Sequence, residues 1–279
     1  MGILMAEKLN LKKLAFIGGG AMGEAIIKGI TGAKLMDPAA IYVGAHRQER
    51  ADYLTKTYGV TGLVDNCEAV KDADMIVLAI KPQMVDSVLR GALVSAVPGK
   101  AVILSIMGSV TIEKIAGIFK GHPVIRTMPN TPLAVGAGMT AIAPGNGVSE
   151  DAVKAAEQIF GCCGETLRIQ EKDIEAVTAV SGCGPGYVYV MIDALADAGV
   201  MAGLPRAAAI KLAAQTFAGS GKMVLETGKH PAVLRDMVTS PGGTTIAGIK
   251  ALENGAVRGT LYNAVQAVLN RSEELKGNK

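Results

Sequence analysis

Six consecutive residues, Ser240-Pro241-Gly242-Gly243-Thr244-Thr245, combine what a small anionic ligand needs: backbone amides that can be left free, and hydroxyl donors. Proline fixes one φ, the paired glycines let the chain turn and approach a ligand closely, and the threonines carry the hydroxyls. The residues that follow, Ile246-Ala247-Gly248-Ile249-Lys250-Ala251-Leu252, have helical spacing. The loop therefore feeds a helix N-terminus, where unpaired N–H groups and the helix dipole favour a carboxylate. Taken alone, the same run also reads as a Pro-Gly turn with a Thr N-cap.

A second glycine-rich run lies at the other end of the chain. The apolar residues Lys13-Leu14-Ala15-Phe16-Ile17 lead into Gly18-Gly19-Gly20-Ala21-Met22-Gly23, and Glu24-Ala25-Ile26-Ile27-Lys28-Gly29-Ile30 continues as a helical pattern. Gly18-x-Gly20-x-x-Gly23 between a strand and a helix is the spacing of a dinucleotide site. Its glycines serve in turn for the tight bend, for close approach to a pyrophosphate, and for close helix–strand packing. The next apolar segment, Ala40-Ile41-Tyr42-Val43-Gly44, is followed by Ala45-His46-Arg47-Gln48-Glu49-Arg50. An NAD-selective site places a carboxylate at this strand tip for the ribose 2′-hydroxyl. None stands there, and Arg47 and Arg50 can face a 2′-phosphate, which favours NADPH with NADH still possible. Both arginines also fit the solvated first turn of a helix, and Glu49 is close by. A nicotinamide beside a carboxylate held by residues 240–245 is the arrangement for hydride transfer to a small acid.

The elements that must position these loops are legible as a pattern. Met75-Ile76-Val77-Leu78-Ala79-Ile80 is a continuous apolar run, as expected of a strand buried on both faces, and it ends in the turn Lys81-Pro82-Gln83. Further strands are expected at 101–105, 123–126, 137–142 and 165–169, with a helix near 149–161 and a rigid proline-bounded loop at 126–132. Alternating strands and helices specify an α/β fold, a Rossmann-like doubly wound sheet over residues 1–170. From Glu171 strand signals fade, and residues 171–279 read as an all-α substrate and dimerisation domain. The helical run 174–199 is broken by Ser181-Gly182-Cys183-Gly184-Pro185-Gly186, where close packing at Gly182 and Gly184 is the expected compensation for poor helix formers. The later helices are apolar over more surface than a small domain buries internally, which argues for a homodimer formed through this half.

Composition removes several alternatives. The chain has 279 residues, 49% of them hydrophobic and 19% charged, which suits a compact α/β enzyme and not a disordered or fibrous protein. A net charge of +3 with no basic run gives no support to nucleic-acid binding. Cys67, Cys162, Cys163 and Cys183 show neither CxxC spacing nor a disulfide framework, and His46, His122 and His230 are scattered, so no metal site is expected. Residues 1–13 hold too short an apolar stretch for a signal sequence, and no membrane span is expected; the reading is a cytoplasmic protein.

The sequence resembles the pyrroline-5-carboxylate reductase family. The matching runs are Phe16-Ile17-Gly18-Gly19-Gly20, Ala79-Ile80-Lys81-Pro82-Gln83, Met128-Pro129-Asn130-Thr131-Pro132, Ser181-Gly182-x-Gly184-Pro185, Asp197-Ala198-Gly199-Val200 with Gly203-Leu204-Pro205-Arg206, and Thr239 through the 240–245 loop. They stand in the family's order over about residues 13–275. The resemblance implies reduction of the cyclic imine L-1-pyrroline-5-carboxylate to L-proline by NAD(P)H, and an intertwined dimer, often in a ring of dimers. Carried over by position, Gly18, Gly20, Ala21, Met22, Gly23, Asn66, Ala79, Ile80, Lys81 and Pro82 contact the dinucleotide, while Glu171, Gly243, Thr244 and Thr245 fall at the substrate site. Three residues depart from the family pattern: Cys183 replaces Ser, Gly186 replaces Ala, and Met237 stands where Asn is common.

Imine reduction asks little of side chains, because a protonated imine is already an electrophile. The amides of residues 243–245 are expected to hold the carboxylate, and the Thr245 hydroxyl to hydrogen-bond the ring nitrogen as the catalytic group. A β-hydroxyacid dehydrogenase shares the fold plan and Gly182-x-Gly184, but needs a lysine one helical turn later, and 187–199 contains none. A non-catalytic NADP(H)-sensing module would keep the first glycine loop and have no use for the second.

Overall fold

The computed structural model describes residues 8–277, so part of the segment weighed above as a leader lies outside the described residues. The chain forms two compact units, Met1–Gly182 and Cys183–Lys279.

The first unit is built on an eight-stranded sheet. Its strands are β1 Leu14–Ile17, β2 Ile41–Gly44, β3 Thr61–Leu63, β4 Met75–Leu78, β5 Val102–Ser105, β6 Val124–Met128, β7 Gly138–Pro144 and β8 Gly164–Arg168. They lie in the order β3-β2-β1-β4-β5-β6-β7-β8, so the first six follow the doubly wound plan with β1 and β4 at its centre. All residues of β1 and β4 are buried, because helices cover both faces. Leu14 and Phe16 face the layer formed by helices Ala21–Gly32 and Glu150–Gly161. Their neighbours Ala15 and Ile17 face the opposite layer, which includes helix Ile112–Ile118. This is the period-two alternation of a strand between two helical layers.

Two details differ from the sequence pattern. The three-residue strand β3 adds to the expected set, and it admits only glycine at position 62, where a Cβ would stand 2.2 Å from the Ala51 carbonyl oxygen. Strand β7 runs antiparallel to β6. The link between them is the short turn Thr131–Val135, and a parallel return needs a crossover of a dozen or more residues. Strand β8, reached through helix Glu150–Gly161, is again parallel to β7.

The first unit ends with residues 171–182. A 3₁₀ turn at Glu171–Asp173 and one helical turn at Ile174–Val177 pass into a π-helical turn at Thr178–Gly182. The break expected from the Gly/Pro cluster is thus a widened turn, a form that recurs at functional sites. A Cβ on Gly182 would lie 2.6 Å from the Met128 Cε, whereas Gly184 has nothing within 4 Å, so close packing holds for the first glycine and not the second.

The second unit consists of helices Gly184–Met201, Arg206–Thr227, Pro231–Met237, Thr244–Asn254 and Val257–Gly277. Pro185 sits in the first turn of the first helix, where no amide is missed. The first two helices cross closely, with a Cβ on Gly199 placed 3.1 Å from that of Ala209. Among the described residues the buried core of this unit is Ala196, Ala209 and Ala213, while Leu212, Leu225, Val238, Leu252 and Tyr262 stand exposed. Among the described residues no helix is long and apolar enough to cross a membrane.

Candidate functional site

A cleft of about 790 Å³ opens at the carboxyl ends of β1, β2 and β4. Gly18 leaves β1 at φ +107°, and a Cβ there would lie 2.5 Å from the Ala79 carbonyl oxygen, so only glycine lets the chain cross the end of β4. A Cβ on Gly23 would meet the Gly18 carbonyl oxygen at 2.7 Å, which presses helix Ala21–Gly32 onto the turn. Gly20 is different: nothing lies within 4 Å of where its Cβ would stand. It is the N-cap of that helix, and no side chain caps the helix end. An open backbone with first-turn amides facing a cleft is the physical requirement for a pyrophosphate, so these residues fit a dinucleotide.

Asn66 opens the helix Asn66–Val70, whose N-cap Asp65 accepts from the Cys67 amide at 2.8 Å. Its side chain covers the end of β2 so closely that a Cβ on Gly44 would stand 2.0 Å from Asn66 Oδ1. Gly18, Gly20, Arg47, Asn66, Ala79, Ile80 and Lys81 all line the cleft. Arg47 is exposed at the N-cap of helix Gln48–Tyr58. Arg50 is tied back: its Nε donates to the Gly19 carbonyl at 2.6 Å and its Nη2 to Glu24.

A second hollow of about 480 Å³ shares Gly20, Ala79, Ile80 and Lys81 with the cleft and adds Ala21, Met22 and Pro82. Its far wall is Ile106-Met107-Gly108, Met128 to Thr131, and Gly182. Asn130 holds that wall in shape, donating from Nδ2 to the Ser181 carbonyl at 3.1 Å and accepting from the Met139 amide at 2.9 Å. Behind it lies Arg126, 2% exposed in the middle of β6. Its guanidinium donates to Glu171 at 3.1 Å and to the Gly108 carbonyl, and pairs with Glu175 at 3.6 Å. Glu171 also accepts from the Ile112 amide at 2.6 Å. The sequence-predicted Glu171 is therefore engaged with Arg126 and the start of helix Ile112–Ile118. The spacing of residues in the sequence does not mark Arg126 or Asn130 as part of the site. The one usable signal was a lone arginine in the apolar run of β6.

The remaining candidates, Gly243, Thr244 and Thr245, belong to the second unit. Ser240 to Gly243 form a tight turn with Gly242 at φ +69° and the Gly243 amide donating to the Ser240 carbonyl at 3.0 Å. Pro at the second position and a positive-φ Gly at the third are the residues a type II turn demands. Gly243 is the N-cap of helix Thr244–Asn254 and carries no side-chain cap. Thr244 and Thr245 are exposed. The anion-ready helix end expected from the sequence is therefore present.

Residues 171–275 match the family model described as pyrroline-5-carboxylate reductase dimerisation. Residues 13–108 match the one described as NADP oxidoreductase, coenzyme F420-dependent. The pyrroline-5-carboxylate reductase of Synechocystis sp. is 46% identical over 94% of this chain and 98% of its own length. The chain belongs to the pyrroline-5-carboxylate reductase family. The Escherichia coli reductase is 40% identical over 95% of this chain and 98% of its own. Among solved structures, the reductase of Coxiella burnetii superposes with a TM-score of 0.86 at 33% identity, covering 95% of this chain and 99% of that one. The Plasmodium falciparum reductase, solved with NADP bound, gives 0.83 at 33% identity over 96% and 98% of the two chains. As a family member, the chain has a Rossmann-like first unit and a helical second one.

Proposed function

We propose that this reductase converts L-1-pyrroline-5-carboxylate to L-proline with NADPH as the preferred reductant and NADH as a weaker one, working as a homodimer or a ring of dimers in the cytoplasm. Family membership over nearly the whole chain carries the reaction. The uncapped helix end at Gly20 carries the cofactor site. The amides of Ala21 and Met22 hold the pyrophosphate, Arg47 takes the 2′-phosphate, Asn66 borders the ribose end, and Ala79 to Pro82 form the floor along which the dinucleotide lies. When bound, the dihydronicotinamide supplies the hydride that reduces the imine carbon.

The chain's own contribution is binding and charge placement. The first-turn amides at 243–245 bind the substrate carboxylate through the free donors and dipole of their helix. The Thr245 hydroxyl accepts from the protonated ring nitrogen and keeps it charged, and so electrophilic, until the bond order falls. Glu171 stands at the substrate side as a fixed carboxylate. The exposed apolar faces of the second unit are the surfaces that pair in the dimer.

The test is the loss of absorbance at 340 nm when purified protein, NADPH and L-1-pyrroline-5-carboxylate are mixed, with proline quantified at the end. Equimolar proline and oxidised cofactor are expected. Cofactor oxidation without proline would count against the reading.

A further inference from the structure

One ion pair that reaches the cofactor cleft through Arg50 has no part in the reaction just described. Besides its bonds to Gly19 and Glu24, the Arg50 guanidinium stands 5.0 Å over the Tyr53 ring. Glu24 accepts at its other oxygen from the Tyr58 hydroxyl at 2.8 Å and the Tyr53 hydroxyl at 3.0 Å. Burial disfavours the Glu24 carboxylate, but the hydrogen bonds from Arg50, Tyr58 and Tyr53 outweigh it and hold its pKa below the usual range. The pair is thus charged on both sides and neutral in sum. Arg47 contrasts with it: exposed, lining the same cleft, and without an ion pair among the described residues.

We propose that Glu24 is a specificity-determining residue, which ties Arg50 to the glycine loop and cancels its charge, so that recognition of the cofactor 2′-phosphate falls on Arg47. The inference rests on the dinucleotide reading of the cleft. An arginine recognises a phosphate best when its planar fork is free to bond bidentately. Arg50 already spends Nε and Nη2 on the protein. The phosphate monoester adds a charge of about −1.5 to −2 near neutral pH, and the Glu24 carboxylate, bonded directly to a residue that lines the cleft, opposes it. Glu24 therefore limits NADPH preference and keeps NADH within reach.

Calorimetric titration with 2′,5′-ADP and 5′-AMP, which differ by the 2′-phosphate alone, separates this role from a purely structural clamp. Glu24→Gln should tighten 2′,5′-ADP binding by about three- to tenfold and leave 5′-AMP unchanged. Arg47→Ala should weaken 2′,5′-ADP by roughly tenfold or more, again sparing 5′-AMP. The double variant Glu24→Gln/Arg50→Met removes the neutral pair whole, so it should bind 2′,5′-ADP within about twofold of the unaltered chain, even if either single variant folds poorly. A Glu24→Gln variant that loses both ligands in parallel would overturn the proposal, as would unchanged 2′,5′-ADP affinity in that variant. Should the unaltered chain bind neither nucleotide, the dinucleotide reading itself falls and takes the proposal with it.

Discussion

Arg126 and Glu171 meet at 3.1 Å behind the smaller hollow, joining the middle of β6 to the segment that closes the first unit. The arginine side chain is 3% exposed and the glutamate 32%, so the cation is sealed while its partner still touches water. Removing one partner of a buried pair costs about 3–5 kcal/mol, and the partial solvation of Glu171 places Arg126→Met near the lower bound, at roughly 3 kcal/mol. Urea unfolding monitored by circular dichroism reads this directly. Because Arg126 also holds the Gly108 carbonyl on the wall of the hollow, kcat should fall even well below the melting temperature. Arg126→Lys keeps the charge and loses the fork, so it should recover most of the stability and little of the rate.

Gly18 and Gly20 are two residues apart and should respond in opposite ways. At Gly18 alanine meets both a positive φ and the Ala79 carbonyl, a combination worth about 2 kcal/mol or more in stability. At Gly20 the backbone is extended and the space around a Cβ is open. Gly20→Ala should therefore melt like the parent while its KM for NADPH rises, since the methyl intrudes where a pyrophosphate approaches. Differential scanning calorimetry beside steady-state kinetics distinguishes the two. Loss of stability in Gly20→Ala would contradict the cleft geometry.

The Glu24–Tyr58 contact is bounded by pH on both sides. Glu24 has a lowered pKa in the fold, so its stabilisation is complete above the ordinary value of 4.5 and is lost as pH falls through the lowered one. Tyr58 is pushed up to about 12 by burial and by its bond to Glu24, so its contribution is present below pH 10 and disappears as pH rises from 10 to 12. Stability measured against pH for the parent and for Glu24→Gln should differ most between these limits and converge as pH falls below 4.5. Parallel profiles down to pH 3 would show that the pair does not titrate with folding.

Thr245→Ala tests the substrate end. Loss of one hydrogen bond that acts on developing charge costs roughly tenfold to a hundredfold in kcat, while NADPH affinity, set in the first unit, should stay within about twofold. Thr245→Ser should restore most of the rate. Equal losses in kcat and NADPH affinity would remove Thr245 from the catalytic assignment.

The parts of the fold readable from sequence are those that local spacing controls. Gly18-x-Gly20-x-x-Gly23 works because each position meets its own local constraint, and the 240–245 turn is specified by Pro241 and Gly242 alone. Strand polarity is set otherwise: β7 reverses because only the turn Thr131–Val135 links it to β6, and no periodicity within β7 records that. Strand β3 escaped because three residues with a central glycine carry no apolar pattern. Side-chain partnerships across long separations were equally silent. Arg126 finds Glu171 across 45 positions, and Arg50 finds Glu24 across 26. Both pairs turn residues that looked available for ligands into residues engaged with the protein itself.

The most direct test of the central claim follows the hydride. NADPH carrying deuterium at both C4 positions should give, with L-1-pyrroline-5-carboxylate and the purified protein, L-proline one mass unit heavier and labelled at ring carbon 5. Proline of natural mass, or label appearing only in solvent, would contradict transfer from the dinucleotide to the imine carbon.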